Sequence, residues 1–394
     1  MRSGLKIGKV AGIEIDIDWS WLLILALVTW NLATLFRAWH PDWDALPTVA
    51  LALVAALLLF TSVVVHELAH ALVAGTQSVP VRDITLFLFG GVSDIRREPP
   101  TPRAEFLIAI VGPLTSIVLG VVFLLFGGLG LDRVGTSLAD PAQVYATIGP
   151  VTTLLLWLGP TNLLLGIFNL IPAFPLDGGR VLRAFLWWVT GNLRRATRWA
   201  TLGTHLVSWA LILAGIAMVV GVQLPLFGSG AISGVWLAFI GWFLHTAATR
   251  TYEEVVIRDL LVGVPVARLM RAGQPSAVAP DLNIADLVQE RILGTEDRAF
   301  PVLEGERLVG LVCLDDVRGV ARTAWSTTTV RQIMIPLDRL AVAYPEEESD
   351  EAFATLAERD VDQLPVVQGG RLVGLLRRRD IVRWLQLQGG GAMA

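Results

Sequence analysis

From Leu51 to Val65 the chain is almost uninterrupted hydrocarbon. A helix that is apolar on every side cannot rest at a water interface; it belongs in a large core or in a bilayer. The run extends to about residues 47–75, longer than the roughly 20 residues that span a membrane. Five further candidates obey the same rule: about 19–36, 104–126, 151–171, 203–222 and 231–245. Trp19 and Trp21 flank the first at one end, Trp39 and Trp43 at the other, as in an interfacial aromatic belt. Only 17% of the 394 residues are charged, against about 25% in a soluble domain. The apolar excess lies before about residue 250 and the acidic clusters after it, so a membrane domain over 1–250 precedes a soluble one. The net charge of −4 gives no footprint for nucleic acid. A single cysteine, Cys313, excludes an intrachain disulfide. No small-residue cleavage site clearly follows the first apolar run, so no cleavable signal peptide is expected.

Loop charges set an orientation. Arg2, Lys6 and Lys9, then Arg82, Arg96, Arg97 and Arg103, then Arg180, Arg183, Arg194, Arg195 and Arg198 mark alternate loops; the others offer little beyond Arg37 and Arg133. Positive charge accumulates on the cytoplasmic side, so both termini and the soluble domain are expected in the cytoplasm. Ile13-Glu14-Ile15-Asp16-Ile17-Asp18 alternates with the period of a strand. Residues 81–95, with Ile84-Thr85-Leu86-Phe87-Leu88-Phe89 before Gly90-Gly91, are too short to span as a helix and rich in strand formers. The fold class is therefore a polytopic α-helical membrane protein with about six transmembrane helices and short interfacial strands, followed by an α/β module.

That module contains an internal repeat. Leu269-Met270 recurs as Ile333-Met334, Phe300-Pro301-Val302 as Leu364-Pro365-Val366, Leu308-Val309-Gly310-Leu311 as Leu372-Val373-Gly374-Leu375, and Asp316 as Asp380. Every pair is 64 positions apart, without a gap. The duplicated region covers 258–388, with units of about 264–322 and 328–388, each reading strand, helix, strand, strand, helix. Asp281 is a candidate cap for the helix containing Ile284, Leu287 and Val288.

The chemistry centres on His66-Glu67-Leu68-Ala69-His70. Positions i and i+4 share a helix face, so His66 and His70 can offer two imidazoles to one metal ion, with Glu67 beside them to accept a proton from water. Imidazole and the absence of a redox requirement suit zinc. Ionisable groups inside an apolar span are expensive and functional by default. Catalytic zinc takes three protein ligands. Asp177 is the candidate third, because it follows Pro172 and Pro175, where the fourth span must break, and lies at the same depth. The bland alternative is a turn leaving the membrane. Asn169 could stabilise an oxyanion or merely pack between helices. Gly112, Ser116 and Gly120 form a small-residue stripe that reads as close helix packing. His40 reads as an exposed loop residue; His205 and His245 each lack a partner motif. An unwound substrate is expected to add as a strand to the Ile84–Phe89 segment.

With these motifs in place, the chain resembles the site-2 protease family of intramembrane metalloproteases. The likeness covers about residues 1–250 and rests on His66-Glu67 with His70, the Ile84–Gly91 segment, Gly112-Pro113 with Ser116, and Asn169 through Pro175-Leu176-Asp177-Gly178. It implies one zinc held by His66, His70 and Asp177, Glu67 as catalytic base, Asn169 assisting the transition state, and membrane-anchored substrates such as anti-sigma-factor-like regulators. The repeat resembles a cytoplasmic tandem CBS pair. That likeness implies regulation of cleavage by access to the site, an adenine nucleotide with ribose contacts at Asp316 and Asp380, or else a homodimerising module. The usual Ser or Thr of that motif is replaced by Cys313 and Arg377. A metal transporter or channel with a CBS module is the competing function; metal-dependent peptide cleavage separates the two. A third reading is a relative that binds substrates without cutting them.

Overall fold

The computed structural model describes residues 4–87, 90–95, 98–132, 147–224, 230–273, 277–293, 297–359 and 361–389. They divide into two compact units, Met1–Glu253 and Glu254–Ala394.

The first unit contains helices α1 (Ser20–Trp39), α2 (Ala45–Thr76), α3 (Pro102–Asp132), α4 (Pro150–Asn169), α5 (Asp177–Thr190) and α6 (Leu193–Val219), and most of α7 (Ala231–Leu261). All but α5 are long and apolar enough to cross a membrane, which gives six spans. In hydrocarbon every backbone group must be satisfied within its own segment, so such runs become helices. Lipid tails supply no hydrophobic drive for helix association, so small residues at contacts decide the packing. A Cβ added to Gly120 would lie 2.8 Å from the Gly159 carbonyl oxygen, and one on Gly215 would lie 2.5 Å from that of Gly234. These glycines bring α3 against α4 and α6 against α7.

The fifth span begins at Leu193 rather than near 203, so Arg194, Arg195 and Arg198 stand in the first turns of α6. The short helix α5 was not anticipated. It is amphipathic, burying Arg183 and Ala184 while exposing Phe185, Trp188 and Val189, and Gly191 ends it in the left-handed region at φ 66°.

Four strands form one sheet in the order β1 (Gly4–Val10), β2 (Ile13–Asp18), β3 (Val81–Phe87), β4 (Gly90–Ile95). Ala11 and Gly12 both have positive φ, as a two-residue hairpin turn requires. The alternation in β2 buries Ile13 and Ile15; Ile13 packs with Ile84 of β3 against Ala71 and Leu68 of α2. β3 runs parallel to β2 and antiparallel to β4. It is therefore an internal strand, and β4 is an edge. The expected docking of substrate along 84–89 is corrected on this point: both edges of β3 over Ile84–Leu86 are already paired, and Leu88 and Phe89 lie outside the described residues.

The second unit contains β5 (Arg271–Ala272), β6 (Ala299–Glu304), β7 (Arg307–Cys313), β8 (Ile335–Pro336), β9 (Gln363–Gln368) and β10 (Arg371–Arg377), with α8 (Val266–Leu269), α9 (Ile284–Leu287), α10 (Leu314–Arg318), α11 (Val330–Ile333), α12 (Ser349–Glu358) and α13 (Arg378–Gly389). The repeats exchange their first strands. β5 of the first pairs with β10 of the second, and β8 of the second with β7 of the first. The exchange explains two recurring motifs at once. A Cβ on Gly310 would lie 2.6 Å from Ile335 O and 2.8 Å from Met334 Sδ; one on Gly374 would lie 2.8 Å from Arg271 O and 3.0 Å from Met270 Sδ. Accordingly Val266 and Leu269 pack with Leu364, Val366 and Leu376 in one core, while Phe300, Val302 and Val312 share the other with Val330. Asn283, not Asp281, caps α9: its side chain accepts from Asp286 N, because Asn283 is the residue immediately before the first helical turn.

Candidate metal centre

Each histidine of α2 uses one ring nitrogen for support. His70 Nδ1 lies 2.6 Å from the Ile108 carbonyl oxygen. A carbonyl only accepts, so Nδ1 carries a proton and Nε2 is the ring atom left to face a metal. His66 Nδ1 lies 2.9 Å from Ser116 Oγ. Both partners belong to α3. The two Nε2 atoms then stand 3.1 Å apart, and each is 3.2 Å from Asp177 Oδ2. Bonds of about 2.0–2.1 Å around tetrahedral zinc place donors about 3.3 Å apart. Two imidazoles and a carboxylate at this spacing fit zinc in chemistry and in geometry. Among the described residues this is the one cluster of three or more such side chains. His66 and His70 are 4% and 5% exposed, so a charge brought there is shielded from water.

Asp177 is placed by the local sequence. α4 ends at Asn169, the chain turns through Leu170–Leu176, and α5 begins at Asp177 itself. The turn is anchored where Phe174 N donates to Thr204 Oγ1 at 2.9 Å. A Cβ on Gly178 would lie 2.2 Å from Ile171 O, and one on Gly179 2.7 Å from Ala173 C. The two glycines after Asp177 thus let the first turn of α5 sit directly on the preceding turn.

Gly112 and Ser116 correct the small-residue reading of α3. A Cβ on Gly112 would lie 2.1 Å from His70 Nε2 and 2.7 Å from His66 Nε2, in the space the two imidazoles face. Ser116 is fully buried and orients His66. Of the stripe, only Gly120 is a helix-packing residue alone. The signal was available in the coincidence of three small residues with a facing histidine motif. Glu67 lies beside β4: a Cβ on Gly91 would come within 2.6 Å of Glu67 Cγ. Asn169 turns its amide back along α4, donating to Leu165 O at 2.9 Å.

The other histidines also differ from expectation. His40 is 2% exposed, its Nε2 2.9 Å from Thr153 Oγ1 on α4 and its ring stacked on Trp43. His205 and His245, on α6 and α7, meet with ring centroids 4.3 Å apart. Spacing along the chain could not show this, because the partners lie on different helices. In the second unit, Asp316 Oδ2 accepts from Cys313 N at 2.7 Å, and Asp380 Oδ2 from Arg377 Nε at 2.8 Å.

A model described as Peptidase family M50 matches residues 54–214, and a CBS domain model matches residues 330–387. Rip3 of Mycobacterium tuberculosis, named as a zinc metalloprotease, is 37% identical over 391 residues, which cover 98% of this chain and 94% of Rip3. The zinc metalloprotease MJ0392 of Methanocaldococcus jannaschii is 28% identical over 387 residues, covering 98% of this chain and 97% of that protein. The solved site-2 protease from the same archaeon is 27% identical, covers 63% of this chain and 94% of that chain, and superposes with a TM-score of 0.40. None of these relatives favours the transporter reading. With identity running the length of Rip3 and six helices able to span a membrane, the chain belongs to peptidase family M50, the site-2 proteases, and is a multi-pass membrane zinc metalloprotease with a C-terminal CBS module.

Proposed function

We propose that His66, His70 and Asp177 hold the zinc and that Glu67 is the general base for hydrolysis of a membrane-anchored regulatory protein. The observation that carries this reading is the 3.1–3.2 Å triangle of Nε2, Nε2 and Oδ2. Zinc, when bound, supplies Lewis acidity towards water and the scissile carbonyl. Glu67 accepts the proton of the attacking water on its carboxylate and returns it to the leaving amine. Ser116 and Ile108 O hold the imidazoles in the orientation the donors need. Asn169 uses one amide hydrogen on Leu165 O and offers the second to the oxyanion. The substrate helix unwinds and adds to the edge strand β4, whose Gly91 abuts Glu67.

Loop charges support cytoplasmic termini, and with them an anti-sigma-factor-like substrate. The CBS pair tunes cleavage and can also support a homodimer. A cavity of about 550 Å³ in the second unit is lined by Arg298, Arg378, Arg379 and Arg383, among others, cations suited to the phosphates of an adenine nucleotide. Asp316 and Asp380 each use Oδ2 within the chain, on Cys313 N and Arg377 Nε, and keep acceptor capacity for a ribose hydroxyl.

The test is Glu67→Gln in purified protein and in cells co-expressing single-pass membrane substrates. Zinc content should stay near one per chain while cleavage falls by about 10²–10⁴-fold. Undiminished cleavage removes Glu67 from the mechanism. A wild type that binds zinc yet cuts none of a broad substrate panel favours the non-cutting relative.

A further inference from the structure

Six residues beyond Asp177 on α5, Arg183 is buried, its side chain 4% exposed. Its Nη2 donates to Glu98 Oε2 at 3.0 Å, and its Nε and Nη2 also meet Glu105 Oε1. Glu105 is fully buried. The guanidinium lies 5.9 Å from the centroid of the Phe174 ring, in the turn that delivers Asp177. None of these residues belongs to the donor triangle or to the base.

A buried ion group of this kind is a poor device for stability alone. Its desolvation offsets its attraction, and a well-packed apolar replacement is often as stable or more so. Among the described residues the arrangement is left incomplete: Glu105 Oε2 is buried without a hydrogen-bond partner, which adds to its cost. The best-attested use of buried charge is to fix the register of packed elements. The elements joined here are those that build the metal site. Arg183 stands on α5, whose first residue is Asp177. Glu105 stands on α3, which carries Ile108, Gly112 and Ser116 around the two imidazoles. Glu98 lies between α3 and β4, and β4 carries Gly91 beside Glu67. A slip of α5 by one residue would move Asp177 by about 1.5 Å along the helix and turn it by about 100°, enough to take its carboxylate off the donors.

We propose that Arg183, through Glu105 and Glu98, is a positioning residue for this protease: it fixes α5 against α3 so that Asp177 meets His66 and His70, and it secures the exit of β4 beside the base. The proposal rests on the assignment of those three side chains as zinc ligands. A guanidinium suits this role because its rigid planar fork meets the two carboxylates in one fixed geometry; lysine keeps the charge but not the fork.

The experiment uses the full chain in detergent, loaded with Co²⁺ in place of zinc so that the visible spectrum reports ligand geometry. Asp177→Ala is the control for the ligand assignment; an unchanged spectrum in that variant defeats the assignment itself. Arg183→Lys should alter the spectrum, weaken Co²⁺ and zinc binding by about 10–100-fold, and lower kcat with little change in KM. The double variant Arg183→Met with Glu105→Met replaces the pair by apolar side chains and guards against simple misfolding. It should melt no lower than wild type, yet show the same altered spectrum and weakened binding as Arg183→Lys. Wild-type spectrum and metal affinity in the folded double variant overturn the proposal, because the charges would then have no part in placing Asp177.

Discussion

Among the carboxylates that stand in the first turn of a helix, three meet different fates. Asp177 of the membrane unit turns away from α5 onto two imidazoles. In the C-terminal unit, Asp316 folds back on the N–H of Cys313, and Asp380 onto Arg377, whose Nη1 also reaches Asp297 at 2.8 Å. A helix N-terminus favours negative charge at all three positions. What separates them is the partner supplied by the rest of the fold. In the membrane unit, buried polar groups are held apart from solvent and aimed at one point. In the C-terminal unit the corresponding carboxylates bond to residues three positions before them and are not aimed at one shared point. Chemistry is concentrated in the first unit and structure is distributed over the second.

The largest effect expected from this contrast is that of Asp177→Ala. Under the proposed ligand set, loss of this donor should reduce zinc binding by more than the 10–100-fold that even supporting residues control, measured as metal retained against a chelator series. Stoichiometric zinc in that variant would erase the distinction between the units. Ser116→Ala comes next. It leaves the donors intact but frees His66 Nδ1, so metal affinity should fall towards the lower end of that range while thermal stability changes little. Asp316→Ala should cost about 1 kcal/mol of C-terminal-unit stability through loss of the capping contact, read by denaturant melting, and should leave zinc content untouched. If adenine nucleotides stabilise the wild type but not this variant, the carboxylate is a ligand handle and the contrast weakens. The smallest effect concerns Cys313. Burial, with the neighbouring Asp316 and Asp315 carboxylates, pushes its thiol up to about 12. Its alkylation by maleimide in the folded protein should stay slow through pH 9, where a free thiol is largely ionised. Because the folded thiol holds its proton longer than the unfolded one, this group favours folding fully below about pH 8.5 and loses that contribution as pH rises towards 12. Fast labelling at pH 8 would show an open, solvated site.

Much of this was legible along the chain because it depends on local spacing. The i, i+4 histidines share a helix face whatever surrounds them, the apolar runs are long enough to span, and the 64-residue offset marks two like units. Gly112 shows the limit. Its small size is visible in the sequence, but small residues serve helix packing far more often than metal sites, and only the facing imidazoles decide between the two. The strand-rich segment from Val81 read correctly as strand, yet which strand keeps a free edge is set by β2 arriving from the N-terminus, a pairing between residues about 70 positions apart. α5 was obscured because Asp177, Gly178 and Gly179 resemble a loop, whereas a close approach of backbones gives the glycines their place inside a helix.

The sequence by itself determined the membrane class, the shared face of His66 and His70 and the duplication, since each follows from periodicity and the cost of exposing backbone or apolar surface. The tertiary structure alone decided which serine and carbonyl orient the histidines, that His205 meets His245, and that the two repeats exchange strands. Each of these joins segments far apart in the chain, and such contacts form only when packing has fixed several elements at once; no local spacing encodes them.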